Sequence, residues 1–164
     1  MMADLVAELL RIVGEQIDVC CELAALARRR TELLVSGDVE VLLESNRIEE
    51  EFCTKLQGLE KERAALCHDA CSALGMLPGE FTLMKLIEKL DHPAAGELRS
   101  QANLLKSIVK ELRSVTRRNM RLIEKSIAYS QGLMALMSEA SSGYQQTGLL
   151  QSIPSVRPTF SQRA

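Results

Sequence analysis

Apolar residues recur along the last third of the chain at alternating steps of three and four. The series runs Leu98, Ala102, Leu105, Ile108, Leu112, Val115, Asn119, Leu122, Ser126, Tyr129, Leu133, Leu136 and Ala140. A period of 3.5 residues marks a helix packed lengthwise against other helices. No proline interrupts it, and Pro93 to Ala140 predicts a helix of roughly 70 Å. So long a helix on 164 residues does not suit a compact enzyme core. It predicts an elongated bundle.

The same pattern predicts a first helix from Ala3 to Val35, with a seam of Leu5, Leu9, Ile12, Gln16, Val19, Leu23, Leu26, Arg30 and Leu33. Ser36-Gly37-Asp38 ends it, because Gly37 suits a left-handed C-terminal position and Asp38 suits an N-cap. So short a connection forces an antiparallel hairpin. A second helix follows from Val39 to Leu74, with a seam of Leu42, Ser45, Glu49, Phe52, Leu56, Leu59, Arg63, Leu66, Ala70 and Ala73. Glu49-Glu50-Glu51 weakens that seam and predicts looser packing there. Gly75 to Thr82 is a break around Pro78-Gly79. Leu83 to Leu90 reads as a short helix capped by Thr82. Asp91 then stands near the cap of the last helix, with Pro93 in its first turn. The fold class is all-α: an elongated, coiled-coil-like antiparallel bundle of three long helices and one short one. The bundle covers 1–143, and 144–164 is expected to be a flexible C-terminal tail without periodicity.

Composition adjusts this picture little. Hydrophobic residues make up 46%, charged residues 26% and aromatics 3%, which favours helix over sheet. A net charge of −2 gives no reason to expect nucleic acid or an anionic membrane as partner. Arg28-Arg29-Arg30 lies beside Glu22 and Glu32 and reads as a solvated helix face. The longest uncharged run, Ser126 to Ser138, is too short to span a bilayer. Asp4 and Glu8 inside the first apolar stretch argue against a signal peptide, so a cytoplasmic protein is expected. The five cysteines sit in helical patterns, which argues for reduced thiols.

Little in the chain carries chemistry. Cys67-His68-x-x-Cys71 resembles a metal-ligand cluster, but a tetrahedral site would need a fourth ligand from elsewhere, and the only other histidine is His92. Two buried thiols beside a surface imidazole explain the same residues. No nucleophile elbow or phosphate-binding glycine loop is present. No catalytic, cofactor-binding or metal-binding residue is assigned, and no enzyme is expected. Asn119 falls on the seam, where a polar residue costs stability and sets register. Beside the seam runs a second stripe: Met120, Ile123, Ile127, Ser130, Met134 and Met137. Two adjacent stripes need cover on two sides. Helices one and two can supply it, or the surface awaits a partner, for which methionine is well suited.

Three local patterns then bear on family. One is Leu59-Glu60-Lys61-Glu62-Arg63. Another is Asn119-Met120-Arg121-Leu122-Ile123 followed by Ser126. The last is Tyr144-Gln145-Gln146-Thr147-Gly148. In order and spacing the chain resembles the FlgN family of flagellar export chaperones over nearly its whole length. One departure is Leu122, where family members often carry a second asparagine. The resemblance implies a cytosolic chaperone of hook-associated proteins, which keeps them from assembling early and brings them to the export gate. Client binding would fall to Ile123, Ile127, Leu133, Met134 and Met137, with Leu149, Leu150 and Ile153 of the tail. Tyr144 would dock on the gate, with export ATPase components as further partners. Self-association stays open. The competing readings are a homo-oligomeric coiled-coil scaffold and a sensor built on Cys67, His68 and Cys71.

Overall fold

A computed structural model of the chain describes residues 2–77 and 81–142, with backbone alone for Met2 and 140–142. Four helices account for it: α1 Met2–Ser36, α2 Val39–Ala73, α3 Leu83–Lys89 and α4 Ala95–Ser142. Among the described residues there is no strand, and no helix is long and apolar enough to cross a membrane. The Pro78-Gly79 turn and the segment 144–164 lie outside the described residues. The chain divides into two compact units, Met1–Leu122 and Ile123–Ala164, with the boundary inside α4.

Local chemistry sets the helix ends. Gly37 has φ +77°, and its N–H donates to Leu33 O at 2.9 Å. The Asp38 carboxylate accepts from Val41 N at 3.2 Å and caps α2. At the other end of α2, Gly75 takes φ +64°. Gly75 N donates to Ser72 O and Met76 N to Cys71 O, the paired bonds of a Schellman motif. Thr82 caps α3 by accepting from Lys85 N at 3.3 Å. The start of α4 departs from expectation. His92 closes a turn ahead of the helix, its Nδ1 accepting from Ala94 N at 3.1 Å and its carbonyl from Ala95 N at 3.0 Å, and Ala94 O takes the first helical bond from Leu98 N at 3.0 Å. Pro93 therefore precedes the helix.

In the first unit α1 is the central helix. Gln16 Nε2 donates to Glu60 Oε2 at 2.9 Å, and Arg30 pairs with Glu49. The numbers run in opposite directions, so α2 is antiparallel to α1. Arg28 pairs with Glu111, and Thr31 bonds to Asn119, so α4 runs parallel to α1. The seam read from the sequence on α1 faces α2. A second stripe of Val6, Val13, Cys20, Ala24 and Ala27 is also buried. That stripe is a finding of the structure. Small and β-branched side chains let a neighbouring helix approach closely on that side.

Two clusters form the core. Val6, Leu9, Val13, Cys67, Ala70, Cys71, Leu86, Ile87 and Leu98 join all four helices at one end. Ile12, Val19, Leu23 and Leu59 follow, with Leu112 packed against them. Burying a leucine such as Leu9 or Leu98 contributes roughly 1.5–3 kcal/mol. Ala73 is exposed, contrary to expectation, because α2 turns Ala70, Cys71 and Leu74 inward at its last turn. At the acidic stretch Glu49 meets Arg30, which also donates to Asn46 Oδ1 at 2.7 Å. Burial pushes the Arg30 guanidinium down from its ordinary value.

Candidate functional site

The seam of α4 is occupied only in its first half. Leu98 is buried, and Leu105, Leu112 and Leu122 are half-buried. Asn119 is 4% exposed. Its Nδ2 donates to Ala27 O at 2.7 Å, and its Oδ1 accepts from Thr31 Oγ1 at 2.6 Å. Both ends of the amide are thus used inside the unit, which offsets the cost of burying it.

From Ile123 to Glu139 every side chain is exposed. This corrects the expectation that the seam is packed along its whole length. Ser126, Tyr129, Leu133 and Leu136 keep the period and face solvent. Length supplies a physical reason. α4 has 48 residues against 35 in α1 and 35 in α2, so neither can line it from end to end.

The described part of the second unit, 123–142, is a helix with one wide apolar face. Ile123, Ile127, Met134 and Met137 form one row, and Tyr129, Leu133 and Leu136 form the next. Exposures range from 40% at Ile123 to 72% at Met137. At 100° per residue the two rows cover about half the helix circumference. No charged residue falls between Lys125 and Glu139. A monomer rarely leaves so many large apolar side chains together in water unless something binds them. Met134 and Met137 add flexible, polarisable side chains that adapt to different partners.

Five residues expected to bind a client, Ile123, Ile127, Leu133, Met134 and Met137, therefore share one exposed face. Tyr129 and Leu136 belong to it as well. The sequence analysis set Tyr129 and Leu136 on the same seam as Leu133 and did not assign them to the client. Tyr144, Leu149, Leu150 and Ile153 lie outside the described residues.

The cysteine–histidine cluster packs in another way. Cys67 and Cys71 are buried in the core, and burial pushes both thiols up from their ordinary value. His68 is exposed and meets the Phe81 ring edge-on at 5.2 Å between centroids. His92 closes the turn ahead of α4. Among the described residues no three His, Cys, Asp or Glu side chains stand together as metal ligands.

A family model described as FlgN protein matches residues 1–152. No curated protein and no solved structure matches the chain.

Proposed function

The chain belongs to the FlgN family, the flagellar export chaperones, and from that premise we propose that it is a cytoplasmic chaperone of hook-associated proteins. It covers their aggregation-prone helical ends, prevents early assembly and hands them to the type III export gate. The observation that carries this reading is the exposed face from Ile123 to Met137. A client segment that later joins a helical assembly exposes an apolar stripe of its own, and helix-against-helix packing covers both. Burying each large side chain on the face contributes roughly 1.5–3 kcal/mol before ordering costs. That scale suits a complex tight enough to hold a client and weak enough to release it without catalysis.

Leu149, Leu150 and Ile153 would lengthen the client surface, and Tyr144 would contact the gate, with export ATPase components as further partners. Asn119 would hold α4 in register against α1, so that the face always begins at the same residue.

The test is light scattering after size exclusion, on the chain alone and mixed with hook-associated proteins. A stable one-to-one complex is expected. Met134→Asp with Met137→Asp should weaken it at least tenfold, about 1.4 kcal/mol, with helix content unchanged. Undiminished binding by that folded variant would remove the client assignment. A stable homo-oligomer indifferent to hook-associated proteins would replace this reading with a scaffold that buries the same face in itself.

A further inference from the structure

A second surface lies within the first unit and shares no residue with the apolar face. α2, α3 and α4 border an open groove of about 580 Å³. Its apolar lining comes from Leu83 and Met84 of α3 and Ala102, Leu105 and Val109 of α4. Along its α4 edge stand Lys106, Lys110, Arg113 and Arg117. Their spacing of four, three and four residues puts them in single file over roughly 16 Å of helix.

These four stand in line along an apolar groove, which sets them apart from Arg29, Lys61, Arg99 and Arg118, cations of the unit that likewise lack a carboxylate partner among the described residues. Arg11, Arg28, Arg30, Arg47 and Arg63 each pair with a glutamate. Lys106, Lys110, Arg113 and Arg117 are exposed, and none has a carboxylate partner among the described residues. On the opposite wall, Glu60 is already held by Arg63 and Gln16. The edge is therefore positive in a chain whose net charge is −2.

The arrangement selects among ligands. Cations that bind a small anion converge on a point, whereas these form a line. Single-stranded nucleic acid needs aromatic platforms for its bases, and the groove lining contains none. A line of positive charge beside an apolar trough complements a helix with an apolar stripe and an acidic edge. The walls already accept a helix at the Ala102 end. There α3 buries Leu86 and Ile87 against Cys67 and Ala70 of α2 and Leu98 of α4.

We propose that this groove docks an acidic amphipathic helix of a partner protein, about three turns long. The partner is distinct from the client, and the two surfaces share no contact residue.

The experiment uses the full chain and a fluorescein-labelled helical peptide, with leucines at spacing i, i+3, i+7 and glutamates beside them. Anisotropy at low salt should show saturable binding that falls with added salt. Lys106→Glu, Lys110→Glu, Arg113→Glu and Arg117→Glu together should weaken it at least tenfold, and Val109→Asp alone should also weaken it. The four matching glutamine substitutions are read instead if the charge-reversed variant loses helix content. Hook-associated protein binding should be unchanged in either set. Equal binding by the folded variant would overturn the proposal. So would equal binding of a lysine-edged peptide or of oligoglutamate, or tighter binding of single-stranded RNA. Loss of monomer mass in the charge-reversed variant's parent, with no peptide binding, would assign the groove to a second copy of the chain and overturn it too.

Discussion

α1 and the second half of α4 carry the same kind of surface and meet opposite fates. Each has two adjacent apolar rows at helical spacing. On α1 both rows are buried, one under α2 and the other beside α4. On α4 after Leu122 both rows are exposed. The width of a stripe thus reports how many neighbours a helix needs. It does not report whether the chain itself provides them. Among the described residues of its own unit the α4 face has no neighbour, and the proposed function assigns that cover to a client.

The comparison breaks first on core substitutions. Leu9→Ala should cost about 2–5 kcal/mol in denaturant unfolding, since Leu9 is fully buried. Leu133→Ala removes the same atoms from an exposed site and should stay within about 0.5 kcal/mol. Comparable losses at the two sites would mean that the face is covered in the free protein.

Asn119 marks the last buried position before the change. Asn119→Ala should cost about 1–3 kcal/mol, because Thr31 Oγ1 keeps only its longer contact to Ala27 O at 3.2 Å, that carbonyl loses the amide donor, and a void remains. The unfolding midpoint measures it. A cost near zero would show that the hydrogen bonds to Ala27 and Thr31 do not hold α4 in place.

Gly132 sharpens the contrast from the other side. It lies inside α4, and a Cβ there would meet nothing within 4 Å. Gly132→Ala should stabilise the helix locally by about 0.5–1 kcal/mol. Amide exchange should slow between Ile123 and Glu139 while the global unfolding midpoint stays put. A shift of that midpoint would tie the segment to the core cooperatively.

The smallest effect concerns pH and is confined to the first unit. The Arg63 guanidinium beside Glu60 holds its carboxyl below the usual carboxylate range; partial burial opposes this, and the Gln16 amide adds to it. A depressed folded value gives stability that is present above the unfolded value and lost as pH falls through the folded one. Melting temperature should therefore drop on acidification below the ordinary glutamate range. Glu60→Gln should flatten part of that slope. An unchanged slope would show that the pair contributes nothing beyond surface screening.

Much of this was legible in the chain. The turn at Gly37-Asp38 and the cap at Thr82 are local events, dictated by backbone freedom and a side-chain acceptor. The turn that His92 closes ahead of α4 was not legible, because Asp91 offered a commoner acceptor one residue earlier. Ala73 was misplaced because the Schellman turn brings Cys71 and Leu74 inward. Lys106, Lys110, Arg113 and Arg117 drew no notice as a group, since a row of cations along a helix ordinarily marks a solvated face.

By itself the sequence determined the helices, their order and the direction of the α1–α2 hairpin. Those depend on interactions between residues close in the chain: hydrogen bonds three and four apart, caps, and turns too short for any other path. Only the tertiary structure decided which apolar rows are buried and which cations stand unpaired. Burial depends on neighbours distant in sequence, so Ala27 and Met137 can share a pattern while one lies under Asn119 and the other faces water.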